Sequence, residues 1–228
     1  MACPATSDHT HDEEGTIATN PYPVQLSVDY PDRPLDRLTS AFRIFTAIPI
    51  VILISFLGSR DSYTWSHGGH TTTRSGATAL GLLVAAPAAM ILFRQKYPRW
   101  WFDWNVNLLA FSNRVGAYCF LLTDVYPATD EDQSVHLTVP YPDVQNDLNR
   151  WLPLVKWAFA IPHYIVLFFL GVGAVVAAII AWFAILFTGR FPRGLFDYMV
   201  GVGRWTDRVS AYAFMLTTDE YPPFRLSP

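Results

Sequence analysis

The chain has 228 residues, of which 51% are hydrophobic and only 15% charged, against about 25% charged in an ordinary soluble domain, so the expected surroundings are a membrane. A net charge of -3 and a pI near 6.0 exclude a nucleic-acid binder, because phosphate recognition needs a concentrated basic surface. The two cysteines, Cys3 and Cys119, form neither a disulfide framework nor a CxxC metal pattern.

Residues 1–20 are acidic and polar and lack the positive n-region and apolar core of a secretory signal. They read as a disordered tail. An alternation of Val24, Leu26 and Val28 follows, predicting a short strand that ends at Tyr30-Pro31-Asp32. Apolar runs at 42–57 and 76–93 then have nearly the length a membrane span needs, roughly 17 to 25 residues. Between them lies a polar loop, 59–75, containing His67 and His70. Two histidines without a third ligand nearby are a weak metal signal; a flexible outward loop is the expected reading, and no metal or cofactor is expected. Residues 99–122 mix Trp, Phe and Leu with Asp103, Asn105, Asn107 and Arg114. Charges inside a span are costly, so this stretch is predicted to be an amphipathic helix in the membrane interface. A protein-covered helix packed across the spans is the alternative.

After an acidic linker at 129–134, the same order returns. Val135, Leu137 and Val139 lead to Tyr141-Pro142-Asp143, Arg43 matches Lys156, Ala47-Ile48-Pro49 matches Ala160-Ile161-Pro162, and Leu57-Gly58 matches Leu170-Gly171. The register then shifts once, by the inserted loop. Tyr97-Pro98-Arg99 matches Phe191-Pro192-Arg193, Ala117-Tyr118 matches Ala211-Tyr212, and the copies close on Asp124-Val125-Tyr126-Pro127 and Asp219-Glu220-Tyr221-Pro222. The apolar block of the second copy is interrupted only by Gly171-Val172-Gly173, which predicts a tight hairpin of two helices, 154–170 and 173–187, before a second amphipathic stretch at 193–216. The expected fold is therefore a mainly α membrane protein. It has modules at 21–128 and 135–228, each a short β-strand, a transmembrane helical hairpin and an amphipathic interfacial helix, with four transmembrane helices in all. Shallow re-entrant hairpins are the alternative to full spans.

Pro49, Pro87 and Pro162 fall inside the apolar runs. Proline in a helix interior costs about 3 kcal/mol in water, and membrane helices tolerate it when neighbours satisfy the freed carbonyl. Of the 16 Lys and Arg, only Arg60 and Arg74 lie in the inserted loop. By the positive-inside rule both termini face the cytoplasm of a multi-pass protein in the cell inner (plasma) membrane.

The runs Ala160-Ile161-Pro162-His163, Trp182 to Asp197 (WFAILFTGRFPRGLFD) and Asp219-Glu220-Tyr221-Pro222-Pro223-Phe224 resemble the bacterial membrane family catalogued as domain of unknown function 4389. The resemblance covers nearly all of residues 22–226 as two copies, the second closer. In the first, Ile50 replaces His163, Arg94-Gln95 replaces Thr188-Gly189, and Trp100-Trp101 replaces Gly194-Leu195. The resemblance implies a membrane protein and brings no activity or catalytic residues.

Two sets of candidate residues follow. Arg99 with Asp103 and Arg193 with Asp197 are four apart on helices and can pair. Arg94, Lys96, Arg99, Arg190 and Arg193, beside Trp100, Trp101, Phe191 and Phe196, can hold anionic lipid headgroups. His163, near the start of an apolar run, is a candidate functional polar group, a proton relay in one reading and a hydrogen-bonded interfacial histidine in the other. No GxSxG, HExxH, phosphate-cradling loop or catalytic carboxylate pair occurs. The expected function is a non-enzymatic membrane accessory or scaffold protein whose partners are membrane lipids and a membrane protein complex or a second copy. A transporter or channel component built on the repeat is the alternative.

Overall fold

The structure, a computed structural model, describes residues 22–31, 34–58, 62–67, 70–75, 79–129, 131 and 133–228. The tail at 1–20 and parts of the inserted loop lie outside the described residues. The chain is mostly helical. In order come β1 (Gln25–Val28), α1 (Arg37–Gly58), β2 (Ser62–His67), β3 (His70–Ser75), α2 (Ala79–Arg94), α3 (Arg99–Cys119) and β4 (Val135–Thr138). A 3-10 turn (Leu152–Leu154), α4 (Lys156–Phe159), α5 (Ile161–Thr188), α6 (Arg193–Ser210) and a π-helical turn (Ala211–Met215) complete it.

The alternating strands form and find each other: β1 pairs antiparallel with β4, Leu26 opposite Leu137 and Val28 opposite Val135. The inserted loop is a β-hairpin, β2 against β3, with His67 opposite His70.

The second half corrects the expected hairpin. One helix, α5, runs unbroken for 28 residues through Gly171-Val172-Gly173. The glycines serve packing: a Cβ on Gly173 would stand 2.5 Å from the Tyr198 hydroxyl, which donates to the Leu170 carbonyl at 2.9 Å. The bare backbone lets α6 approach closely, and nothing local reverses the chain. Pro162 sits in the first turn of α5, where its missing N–H removes no bond. The expected 154–170 helix is instead broken at Ala160, between α4 and α5. Among the described residues one helix, α5, is long and apolar enough to cross a membrane.

Three layers are stacked. Helix α6 lies between α5 and β1, and α3 lies between α1 and β4. Strand β1 lies across α6 from α5, and the residues flanking the strand reach toward the two ends of that helix. Just before it, the Tyr22 hydroxyl donates to the Glu220 carbonyl, next to Tyr221, which packs on His163 in the first turn of α5. Just after it, the Tyr30 hydroxyl donates to the Phe191 carbonyl, beyond the other end of α5. Midway, Leu26 joins Ala177, Ala181 and Met199 in one hydrophobic cluster. Helix α1 runs antiparallel to the C-terminal half of α5: the Leu35 N–H donates to Gly189, and Trp182 donates to the Ser40 carbonyl. The inner face of α5, including Ala174, Ala177, Ala181 and Ile185, is buried. Its outer face, from Ile165 through Phe168, Val172, Val176, Ile180 and Phe183 to Phe187, is exposed along the whole length.

Candidate functional site

Proline opens both middle-layer helices. Pro98 and Pro192 cap α3 and α6 with extended backbone, each carbonyl accepting the first helical N–H groups. The five candidate cations Arg94, Lys96, Arg99, Arg190 and Arg193 are all exposed and stand at these two helix starts. Each start is bound to an arm from the other half of the chain. Tyr30 donates to Phe191 O, packs edge-on against Phe196 and lies under the Arg193 guanidinium, 4.7 Å away. Tyr141 donates to Tyr97 O, packs edge-on against Phe102 and lies under the Arg99 guanidinium, 4.9 Å away.

Of the two expected carboxylate pairs, Arg99 and Asp103 approach to 3.9 Å with both side chains exposed, a geometry worth little in water. Arg193 makes no ion pair with Asp197, because its guanidinium is taken by the Tyr30 ring. The neighbouring aromatics also divide. Phe93, Trp100, Trp104 and Phe187 are exposed beside the cations, whereas Phe191 and Phe196 are buried core residues and reach no headgroup. Helix α6 likewise buries Phe196, Met199, Val200, Trp205 and Val209 against the protein, so it is covered by its own chain.

Sequence reasoning missed the strongest polar features. Lys156, 1% exposed, forms an ion pair with Asp219 at 2.6 Å, donates to the Thr218 carbonyl at 2.7 Å and points at the Tyr212 ring. Arg43, equally buried, pairs with Asp124, donates to the Tyr118 and Thr123 carbonyls and stacks on the Tyr118 ring. The second oxygen of each carboxylate accepts a backbone N–H, Asp36 onto Asp124 at 2.9 Å and Asn149 onto Asp219 at 2.6 Å. Burial lowers the Lys156 ammonium from its ordinary value, and Asp219 opposes that shift. The expected alignment of Arg43 with Lys156 and of Asp124 with Asp219 holds a signal for these pairs, since it sets a cation and a carboxylate in each expected module. Leu121 and Leu216 are both left-handed, at φ 68 and 58. Leu216 closes the π-helical turn, and its N–H donates to the Ala211 carbonyl.

Between α3 and α6, Asn113 donates to Asp207 at 2.7 Å. Asp207 is 1% exposed, and burial pushes its carboxyl up to about 7, opposed by the Asn113 hydrogen bond. His163 is fully buried: Trp205 donates to its Nδ1 at 3.1 Å, Phe224 stacks on it at 4.1 Å, and Nε2 has no hydrogen-bond partner. A cavity of about 710 Å³ between α1 and α5 is walled by Ile48, Ile52, Val175, Ile179 and Phe183, with Ser40 and Arg43 at one end. Among the described residues no cluster of three His, Cys, Asp or Glu has metal-binding geometry.

No curated protein and no solved structure matches the chain. The model of one family, described as Domain of unknown function (DUF4389), matches residues 151–225, a single copy that takes in Lys156, His163, α5, α6, Asp207 and Asp219.

Proposed function

We propose that this chain is a non-enzymatic membrane accessory or scaffold protein, which holds anionic lipid at the cytoplasmic face of the inner membrane through the cations at its two helix starts. The observation that carries this reading is the company those cations keep. Arg94, Lys96 and Arg99 stand beside exposed Phe93, Trp100 and Trp104, and Arg190 and Arg193 beside exposed Phe187. Each lysine or arginine near an anionic leaflet contributes about 1 kcal/mol, and aromatic rings favour the same depth. The exposed apolar face of α5 supplies the hydrophobic part of the contact. Both termini are cytoplasmic in this reading, from the distribution of basic residues.

The protein is a tandem repeat with exchanged arms in the same reading. Supporting it are the contacts that occur twice at matched positions: Arg43 with Asp124 and Lys156 with Asp219, and Tyr30 on the second helix start and Tyr141 on the first. The test is to change Arg94, Lys96, Arg190 and Arg193 to Gln, leaving Arg99 and its Tyr141 contact in place, and to measure co-purifying phospholipid. A several-fold loss of anionic lipid is expected. Unchanged anionic lipid on a variant that still sediments with membranes refutes the lipid role, and a complex recovered intact in mild detergent identifies the partner it scaffolds.

A further inference from the structure

We infer that the protein lies along one leaflet, with α5 in the plane of the membrane and the β1–β4 sheet facing water, instead of crossing the bilayer. This rests on the membrane reading above and specifies its geometry. By length and composition α5 could span, since 28 residues reach about 42 Å and the hydrocarbon layer is about 30 Å thick. What decides is the layer that accompanies it. The segment from Tyr22 to Tyr30, with β1 at its middle, lies across α6 from α5 and reaches toward both ends of that helix, with Leu26 against Gly203 of α6 and in one cluster with Ala177 and Ala181. The outward face of the sheet is polar throughout. Gln25, Ser27, Asp29, His136 and Thr138 are exposed, and His136 contacts Asp29 at 3.1 Å.

An upright α5 would carry that face to the centre of the bilayer. Lipid-exposed polar side chains and the open edges of a two-stranded sheet do not occur there, because nothing satisfies their hydrogen bonds. Turning α5 into the membrane plane removes the conflict. The apolar faces of α1 and α5, with Phe42, Phe45, Ile165, Phe168, Val172, Val176, Ile180 and Phe187 all exposed, then meet acyl chains. The middle layer of α3 and α6 follows, and the polar sheet meets water. The same orientation puts the two cation clusters at one depth. They flank opposite ends of α5: Tyr97, beside Lys96, donates to the Met215 carbonyl of the π-helical turn that packs on α4 ahead of the first end, and Arg193 follows the second. In a spanning protein they would lie on opposite sides.

Single cysteines test this in a Cys3→Ser, Cys119→Ser background. Gln145→Cys marks the first end, Gly194→Cys the second and Ser27→Cys the sheet face, all exposed positions. Ile165→Cys, Val176→Cys and Phe183→Cys sample the outer face of α5. With a membrane-impermeant maleimide, the first three are expected to react together from one side only, in permeabilised and not intact cells. Spin labels at the α5 positions are expected at one common depth, on the order of 5–10 Å below the headgroups. Reaction of Gln145→Cys and Gly194→Cys from opposite sides, or a depth that peaks at Val176→Cys and falls toward both ends, overturns the in-plane orientation while leaving membrane attachment intact. Release of the protein from membranes by alkaline carbonate, with the α5 positions open to the water-soluble reagent, overturns the membrane reading itself.

Discussion

Replacing Gly173 with alanine probes why α5 continues where a turn was expected. An alanine Cβ would lie 2.5 Å from the Tyr198 hydroxyl, so the ring must move and its 2.9 Å bond to Leu170 O is lost. That hydrogen bond is worth about 0.5–1.5 kcal/mol, and forcing the ring aside adds about 1–3 kcal/mol. Against these stands the gain of about 0.5–1 kcal/mol from replacing glycine in a helix. The net is a loss of about 0.5–4 kcal/mol. Gly171→Ala meets nothing within 4 Å, so only the helix gain remains. The two substitutions, two residues apart, should therefore differ by about 2–4 kcal/mol. For a chain of this size that is a gap in Tm of several degrees, at about 2–4 °C per kcal/mol. Thermal unfolding in mild detergent, followed by near-ultraviolet circular dichroism, measures it. Tyr198→Phe, which removes the hydroxyl, should recover much of the loss in the Gly173→Ala background and little elsewhere. Equal destabilisation by both alanines, insensitive to Tyr198→Phe, would mean that the glycines make a turn and that the continuous helix is wrong.

Asp207 gives a pH dependence. In the folded state it keeps its proton up to about pH 7, and unfolded it releases it near the ordinary aspartate value of 3.8, so the native state binds the extra proton between these values and stability falls as pH rises through that window, levelling off above it. Asp207→Asn should flatten that decline and raise Tm at pH 8, with little change near pH 4. Asp219→Asn strands the buried Lys156 ammonium and should cost about 3–5 kcal/mol, whereas Lys156→Met with Asp219→Leu should cost less than the single change; a larger loss in the double variant would refute the paired-charge account. Tyr30→Phe and Tyr141→Phe each remove one hydroxyl bond to a helix start, and their Tm shifts should agree within about 0.5 kcal/mol if the exchanged arms are equivalent. Burial raises the half-buried Cys119 thiol above its ordinary value, so alkylation at pH 7.5 should be several-fold slower than after detergent denaturation.

Several features were legible in the residues alone because they depend on local pattern. Alternation at Val24, Leu26 and Val28 reports which side of a strand is buried, and β1 forms there and pairs with its counterpart. Composition alone marked 154–170 and 173–187 as apolar runs without a polar face, and α5, which joins most of both, has the length and composition of a span. Proline before Arg99 and Arg193 marked the starts of α3 and α6, since a fixed φ and a missing N–H fit only a first turn or what precedes it. The fate of Gly171-Val172-Gly173 was not legible: glycine permits a turn and a continuous helix alike, and the choice belongs to Tyr198, which approaches from another helix. Arg193 was expected on Asp197, four residues away, but the ring of Tyr30 from the far end of the chain competes for the same guanidinium. The buried pairs of Arg43 with Asp124 and Lys156 with Asp219 likewise join residues that no local period relates. Periodicity records which face of an element is buried. It is the packing of one layer on another that decides what buries it, and so which side of this protein is left for lipid and which for water.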